Sequence, residues 1–459
     1  MAPDEDSDAA KNLMSWTQKF RKDKNHLFYA PISLQQAATT ADQPANGPVW
    51  ASRTTLPAPK CDSILTAITE AVYDLDDSSC RADLVATLAD VQVQWSGFRS
   101  GVGKNEKEPN ITEEEKYQGL MKDTQSKTTI IYVHGGLNYS GGPASTRAVT
   151  STLAQLTKGR CLVLEQRLAP QNPFPAPLID LLVAYLSLLY PPKDSFHEAL
   201  TPEDIVIAGE STGGNLCLAF LLFIQHFQRR KTRINFHDHC ISIPYPAGFA
   251  TFGAQGDATM SFPSYVRNAK YDIVNDIHPT LSDLIRPDSI WPSTPPRSHI
   301  YCPTTHLITH PLVSPVSSKS WPSIKPPPIF FAYGQERMLD EGRFMAKQAF
   351  KAGALVQFHQ YNALPHIFAF FAEIPQTAHL FTQWAKFCRA CVEEPQAISS
   401  SRYCVYEPVA DPPGFKTILR DIGDGMGFTD LEYGEVLKLT DGKKKKMKAW
   451  NGPKKKSSL

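Results

Sequence analysis

From residue 128 onward, short apolar runs alternate with longer helical patterns, and this alternation restricts the fold more than any other feature of the chain. The runs "TTIIYV" (128–133), "RCLVLEQ" (160–166) and "DIVIAG" (204–209) are separated by patterned stretches such as "LIDLLVAYLSLLY" and followed by "NLCLAFLLFIQHF". Strands that are apolar on both faces and separated by helices read as a mostly parallel sheet with helices on both faces. The pattern resumes with the strand "PPPIFFAY" (326–333), the helix "RFMAKQAFKAG" closed by Gly353, the strand "LVQFHQY", and a helix running from "IFAFFAEI" to "TQWAKFCRACV". "VQVQW" (91–95) alternates with period two and predicts an antiparallel strand entering the sheet. The segment from about 247 to 325 is rich in Pro, Ser, Thr and aromatics without a sustained period, which predicts a cap over the site. The expected organisation is an N-terminal cap segment over 1–85, core over 86–246, inserted cap over 247–325, core over 326–400, and a C-terminal extension over 401–459 with a lysine-rich, solvated tail.

The chain has 459 residues, with 47 Lys and Arg against 46 Asp and Glu, so its net charge of +1 gives no global field for nucleic acid or a strongly charged ligand. The nine cysteines are odd in number and scattered through apolar runs, which predicts free thiols in a reducing, cytoplasmic compartment. The tail keeps a nuclear or membrane-peripheral location open. No apolar stretch approaches the roughly 20 residues of a membrane span, and the start lacks the apolar core of a secretory signal. Oligomeric state is not readable.

"IAGESTGG" places Ser211 between Gly209 and Gly213, directly after a predicted strand and before a predicted helix. A nucleophile on so sharp a turn needs neighbours without bulk, which the two glycines provide. Upstream, "HGGLNYSGG" follows the strand ending at 133, and bare backbone there suits an oxyanion. The expected donors are the N–H groups of Gly136, Leu137 and Thr212, with Gly135 and His134 as structural members of the loop. His366, in the loop after the last patterned strand, is the expected base, whereas His359 lies within that strand and reads as packing. His237 and His239 are spaced like metal ligands, but no further ligand pattern accompanies them, so neither metal nor cofactor is expected. The acid lies in "GQERMLDEG": Glu336 sits in the loop proper, while Asp340 and Glu341 stand where carboxylates start a helix. Glu336 is preferred and Asp340 is the alternative.

The combination of "HGG" at 134, "QRLAPQNPFPAPLID" at 166–180, "GESTGGN" at 209–215, "GQERMLDEG" at 334 and "LPHIF" at 364 resembles the hormone-sensitive-lipase-like family of α/β-hydrolases, especially its fungal esterase and steryl-acetate-hydrolase-like members. The resemblance covers about residues 90–395. It implies an α/β-hydrolase fold, a cap built from N-terminal and inserted segments, and a Ser211, Glu336, His366 triad acting on a small hydrophobic ester. Arg167 and Asp180 belong to its structural signature. Two departures stand out: Leu137 replaces a third glycine and narrows the site against bulky tertiary esters, and Glu210 replaces an aspartate. The expected activity is carboxylic-ester hydrolysis, acetate first, on a hydrophobic alcohol such as a sterol or natural product. Acyl transfer by the same triad, and a non-catalytic binding protein on the same fold, are the alternatives. Cys388 and Cys391 read as one packed helix face, and "RRKTR" (229–233) as a basic helix end.

Overall fold

The computed structural model describes residues 7–76, 84, 86–274, 285–410 and 413–449. Its strands are β1 (Val49–Leu56), β2 (Val91–Phe98), β3 (Thr129–Val133), β4 (Arg160–Glu165), β5 (Ile205–Glu210), β6 (Ile234–Phe236), β7 (His239–Ile241), β8 (Gly248–Phe252), β9 (Ile329–Gly334), β10 (Val356–Tyr361), β11 (Arg402–Val409) and β12 (Gly414–Arg420). Ten of them form one sheet in the order β1-β2-β4-β3-β5-β8-β9-β10-β11-β12, while β6 and β7 make a separate hairpin. Pairing is parallel from β4 through β11 and antiparallel at both margins, where β1 and β2 add at one side and β12 at the other.

The period-two rule assigns the two faces. Ile131, Val133, Ile205 and Ile207 enter one apolar cluster, with the helices Ala176–Leu189, Ser211–Arg230 and Leu339–Lys351. Ile130, Tyr132, Val206 and Ala208 enter a second cluster on the other face, with the helices Pro143–Thr157 and Pro375–Glu393. Burial on both faces explains why these strands read as unbroken apolar runs. Cys388 and Cys391 lie buried in the second cluster, and the eight described cysteines are free thiols. Among the described residues no helix is long and apolar enough to cross a membrane.

Several boundaries differ from expectation. β1 lies inside the segment assigned to the N-terminal cap; as the sheet's first strand it mixes buried and exposed positions without a clean alternation. β8 lies inside the presumed inserted cap and is fully buried between β5 and β9, its five residues hidden in a Pro- and aromatic-rich context. β11 and β12 continue the sheet into the segment assigned to the C-terminal extension. "IFAF" is a single 3-10 turn, Phe368–Phe370, and the helix starts afresh at Pro375, where a missing N–H is harmless. The first part of the lysine-rich tail belongs to the helix Tyr433–Lys444, whose Lys444 Nζ donates to Thr309 Oγ1 at 2.8 Å; residues 450–459 lie outside the described residues.

Candidate active site

Five strands of the parallel sheet deliver their carboxyl ends to one place. β5 ends at Glu210 and the chain turns into the helix Ser211–Arg230, leaving Ser211 at φ +54°, a left-handed value costly for a residue with a Cβ. The turn is tight because Gly213 approaches the preceding β3 loop: a Cβ there would stand 2.1 Å from the Val133 carbonyl oxygen and 2.6 Å from that of His134. β3 leads into His134 and Gly135, β8 into Gly253 and Gln255, β9 into Glu336, and β10 into His366.

The side chains meet there. His366 Nε2 lies 3.0 Å from Ser211 Oγ, and His366 Nδ1 lies 2.6 Å from Glu336 Oε2. Ser211, Glu336 and His366 are all buried. Burial lowers the affinity of the His366 imidazole for a proton. The carboxylate of Glu336, its hydrogen bond, and the nearby Asp272 and Glu210 outweigh that, and the net direction is up. Burial in turn raises the Glu336 carboxyl, opposed by His366. A hydroxyl, an imidazole and a carboxylate in this order can move a proton from oxygen to nitrogen and stabilise the resulting cation.

The two competing acids are engaged elsewhere. Asp340 Oδ1 accepts from Arg267 at 2.6 Å and lies 3.6 Å from Arg343, and its own N–H donates to Ser264 Oγ. Glu341 Oε2 accepts the N–H groups of Gly256, at 2.8 Å, and Asp257. Both stand in the first turn of the helix Leu339–Lys351, yet neither side chain caps it; they tie its start to the 256–267 loop instead.

The glycine loop turns sharply at Gly136, where φ is +105° and a Cβ would stand 2.1 Å from the Ser140 carbonyl oxygen. Gly135 N–H donates to Glu210 Oε1 at 2.6 Å, which ties the loop to the residue before the serine. Burial raises the Glu210 carboxyl to about 7, opposed by the neighbouring Tyr132 hydroxyl and the Gly135 N–H. Among the described residues the N–H groups of Gly136 and Leu137 show no backbone acceptor, and Thr212 stands in the first turn of its helix, where N–H groups lack an intrahelical acceptor. His134 is buried, and its Nδ1 lies 2.8 Å from the Gly135 carbonyl. Leu137 and Thr212 border a cleft of about 30 Å³, also lined by Tyr139, Gln255, Met260 and His299.

Sequence reasoning missed Asp272. Its Oδ1 accepts from the His366 N–H at 3.3 Å and its Oδ2 from the Arg337 N–H at 2.7 Å, so one buried carboxylate joins the loops that carry the histidine and the acid. Asn268 adds a 2.8 Å bond to the Glu336 carbonyl. Nothing in "NAKYDIV" marks these roles, because side-chain bonds to distant backbone follow no spacing. His359 stacks on Phe330 and bonds the Tyr406 hydroxyl at 2.8 Å. His237 lies in the turn of the β6–β7 hairpin and His239 opens β7, and no group of three or more metal-type side chains occurs among the described residues.

An acetyl-hydrolase of Streptomyces hygroscopicus is 26% identical over 245 residues, covering 53% of this chain and 69% of its own. An esterase of Acinetobacter venetianus is 24% identical over 271 residues, covering 58% of this chain and 77% of its own. The crystal structure of an esterase from the bacterial hormone-sensitive lipase family superimposes with a TM-score of 0.51 at 20% identity, covering 84% of this chain and 99% of its own. A family model described as the alpha/beta hydrolase fold matches residues 130–370, the span from β3 through the 3-10 turn after His366, and the chain therefore belongs to the α/β-hydrolase fold family.

Proposed function

We propose that this chain is a serine carboxylic-ester hydrolase of the hormone-sensitive-lipase-like kind, with Ser211, His366 and Glu336 as its triad. The observation that carries the reading is the buried hydrogen-bond chain of 3.0 and 2.6 Å from Ser211 Oγ through His366 to Glu336. Ser211 Oγ attacks the ester carbonyl while His366 Nε2 takes its proton. The N–H groups of Gly136, Leu137 and Thr212 hold the oxyanion, each positioned before the charge develops. His366 then returns the proton to the leaving alcohol. Water repeats the sequence on the acyl-enzyme and frees the acid.

The adjoining cleft is narrow, bordered by the Leu137 side chain, which favours a short acyl group, acetyl first. The acetyl-hydrolase relative supports the same choice. A hydrophobic alcohol, polycyclic as in sterols or natural products, fits the earlier sequence resemblance. Hydrolysis of p-nitrophenyl acetate, butyrate and octanoate by wild type and Ser211→Ala tests the proposal. The expected result is release that falls with acyl length and drops about 10⁴-fold or more in the variant. Equal release by wild type and a folded Ser211→Ala protein would overturn it.

A further inference from the structure

The cleft beside the oxyanion loop is not purely apolar. Leu137, Tyr139 and Met260 share it with His299 and Gln255, whose side chains have no protein partner facing the cleft among the described residues. Gln255 is held from behind, its N–H donating to the Ser211 carbonyl at 3.1 Å and its carbonyl accepting from Asn215 at 2.9 Å. His299 is the more informative of the two because its protonation pattern is fixed. Its Nδ1 lies 3.2 Å from the Tyr301 N–H and 3.3 Å from the Cys302 N–H, and both groups can only donate. Nδ1 must therefore be the acceptor, which leaves the ring proton on Nε2. Burial, helped by Arg297, lowers the imidazole to about 4, so the ring is neutral at physiological pH.

The segment that carries this ring is rigidly seated. Arg297 donates to the Pro170 carbonyl at 2.9 Å, Ser298 bonds Thr305 at 2.6 Å, and the Tyr301 carbonyl accepts the Phe174 N–H at 2.9 Å. A donor held this firmly, with its other nitrogen occupied, is preorganised for one acceptor position. Once a ligand fills the cleft and displaces water from this half-buried N–H, the donor loses free energy unless the ligand brings an acceptor.

We propose that His299 donates its Nε2–H to a substrate oxygen, so that the enzyme selects esters bearing a second acceptor oxygen, an ether, hydroxyl or carbonyl, within a few bonds of the scissile carbonyl. This inference rests on the esterase reading above. The residue sets specificity and takes no part in bond breaking.

Two matched pairs test it: p-nitrophenyl methoxyacetate against p-nitrophenyl butyrate probes the acyl side, and 2-methoxyethyl acetate against n-butyl acetate probes the alcohol side. For each pair the kcat/KM ratio is divided by the same ratio for hydroxide-driven hydrolysis, which removes intrinsic reactivity. Wild type should favour the oxygen-bearing member of one pair by about tenfold, the value of one hydrogen bond in a desolvated site. His299→Phe and His299→Asn should bring that ratio to about one while leaving the all-carbon ester within about threefold. The asparagine keeps an acceptor for the Tyr301 and Cys302 N–H groups without reaching the Nε2 position, so it decides the matter if the phenylalanine variant does not fold. No preference in either pair, or a preference that survives substitution, overturns the inference while Ser211-dependent hydrolysis stands. Absence of Ser211-dependent release from all four esters overturns the esterase reading and this inference with it.

Discussion

Replacing Glu336 by Gln tests the assignment of the acid most directly. The substitution keeps the side-chain volume and removes the charge 2.6 Å from His366 Nδ1. That charge matters little while the imidazole is neutral and strongly once it has accepted the serine proton. At an effective dielectric near 20, attraction between unit charges at this distance is about 6 kcal/mol. With about 1.36 kcal/mol per tenfold in rate, a loss on the order of 10⁴-fold in kcat follows, with KM little changed. Asp340→Asn is the matched control. Its buried carboxylate is engaged by Arg267 and Arg343 rather than by His366, so the substitution should lower stability while kcat stays within about threefold. The assay is steady-state hydrolysis of p-nitrophenyl acetate normalised by active-site titration, with a thermal melt to confirm folding. A Glu336→Gln enzyme within tenfold of wild type, or an Asp340→Asn enzyme impaired 100-fold or more, would show that the charge acts through the other carboxylate.

Other perturbations follow from the same geometry. His366 serves as base only when neutral, and Glu336 raises its proton affinity, so kcat/KM should fall on acidification with a midpoint above the ordinary 6.5 of histidine; in Glu336→Gln, where burial acts without the countercharge, a pH–rate profile should show this limb at lower pH. Asp180 is buried and accepts the Arg167 backbone N–H at 2.8 Å and its guanidinium at 2.8–3.1 Å. Asp180→Ala should therefore cost about 3–5 kcal/mol in urea denaturation while active-site titration of the folded fraction is unchanged. Leu137 sits at φ +57°, where glycine is at ease, and its side chain borders the cleft. Leu137→Gly should raise the kcat/KM ratio for tert-butyl acetate over n-butyl acetate by about tenfold or more without loss in a thermal melt.

Legibility of the sequence depended on whether a residue's role follows from its own neighbourhood. The central strands could be read because burial on both faces makes their apolar runs continuous, as in "IVIAG" and "IFFAY". β1 could not, because its exposed positions interrupt the run, and β8 could not, because five residues beginning with Gly248 carry too little pattern among prolines. The candidate site divides in the same way. Ser211, Glu336 and His366 each follow within five residues of a strand end, where chain direction alone brings them to one edge of the sheet. Glu336 separates from Asp340 for a local reason too: the helix starts at Leu339, which commits Asp340 to a helical turn facing Arg267.

The roles that escaped detection all lie in the segment between β8 and β9 or in its contacts. Asp272 reaches across 94 positions to the His366 N–H, and Glu341 across 85 to Gly256. Such bonds join a side chain to backbone whose position is set by the rest of the fold, and no periodicity or turn rule encodes them. His299 carries the same logic one step further. Its neighbours Tyr301 and Cys302 fix the tautomer locally, but only the fold brings its ring to the cleft that Leu137 and Thr212 also line. The proposed triad is therefore written in short motifs at strand ends, whereas the proposed selectivity among esters is written in tertiary contacts, and substitutions at His299 should move the second without moving the first.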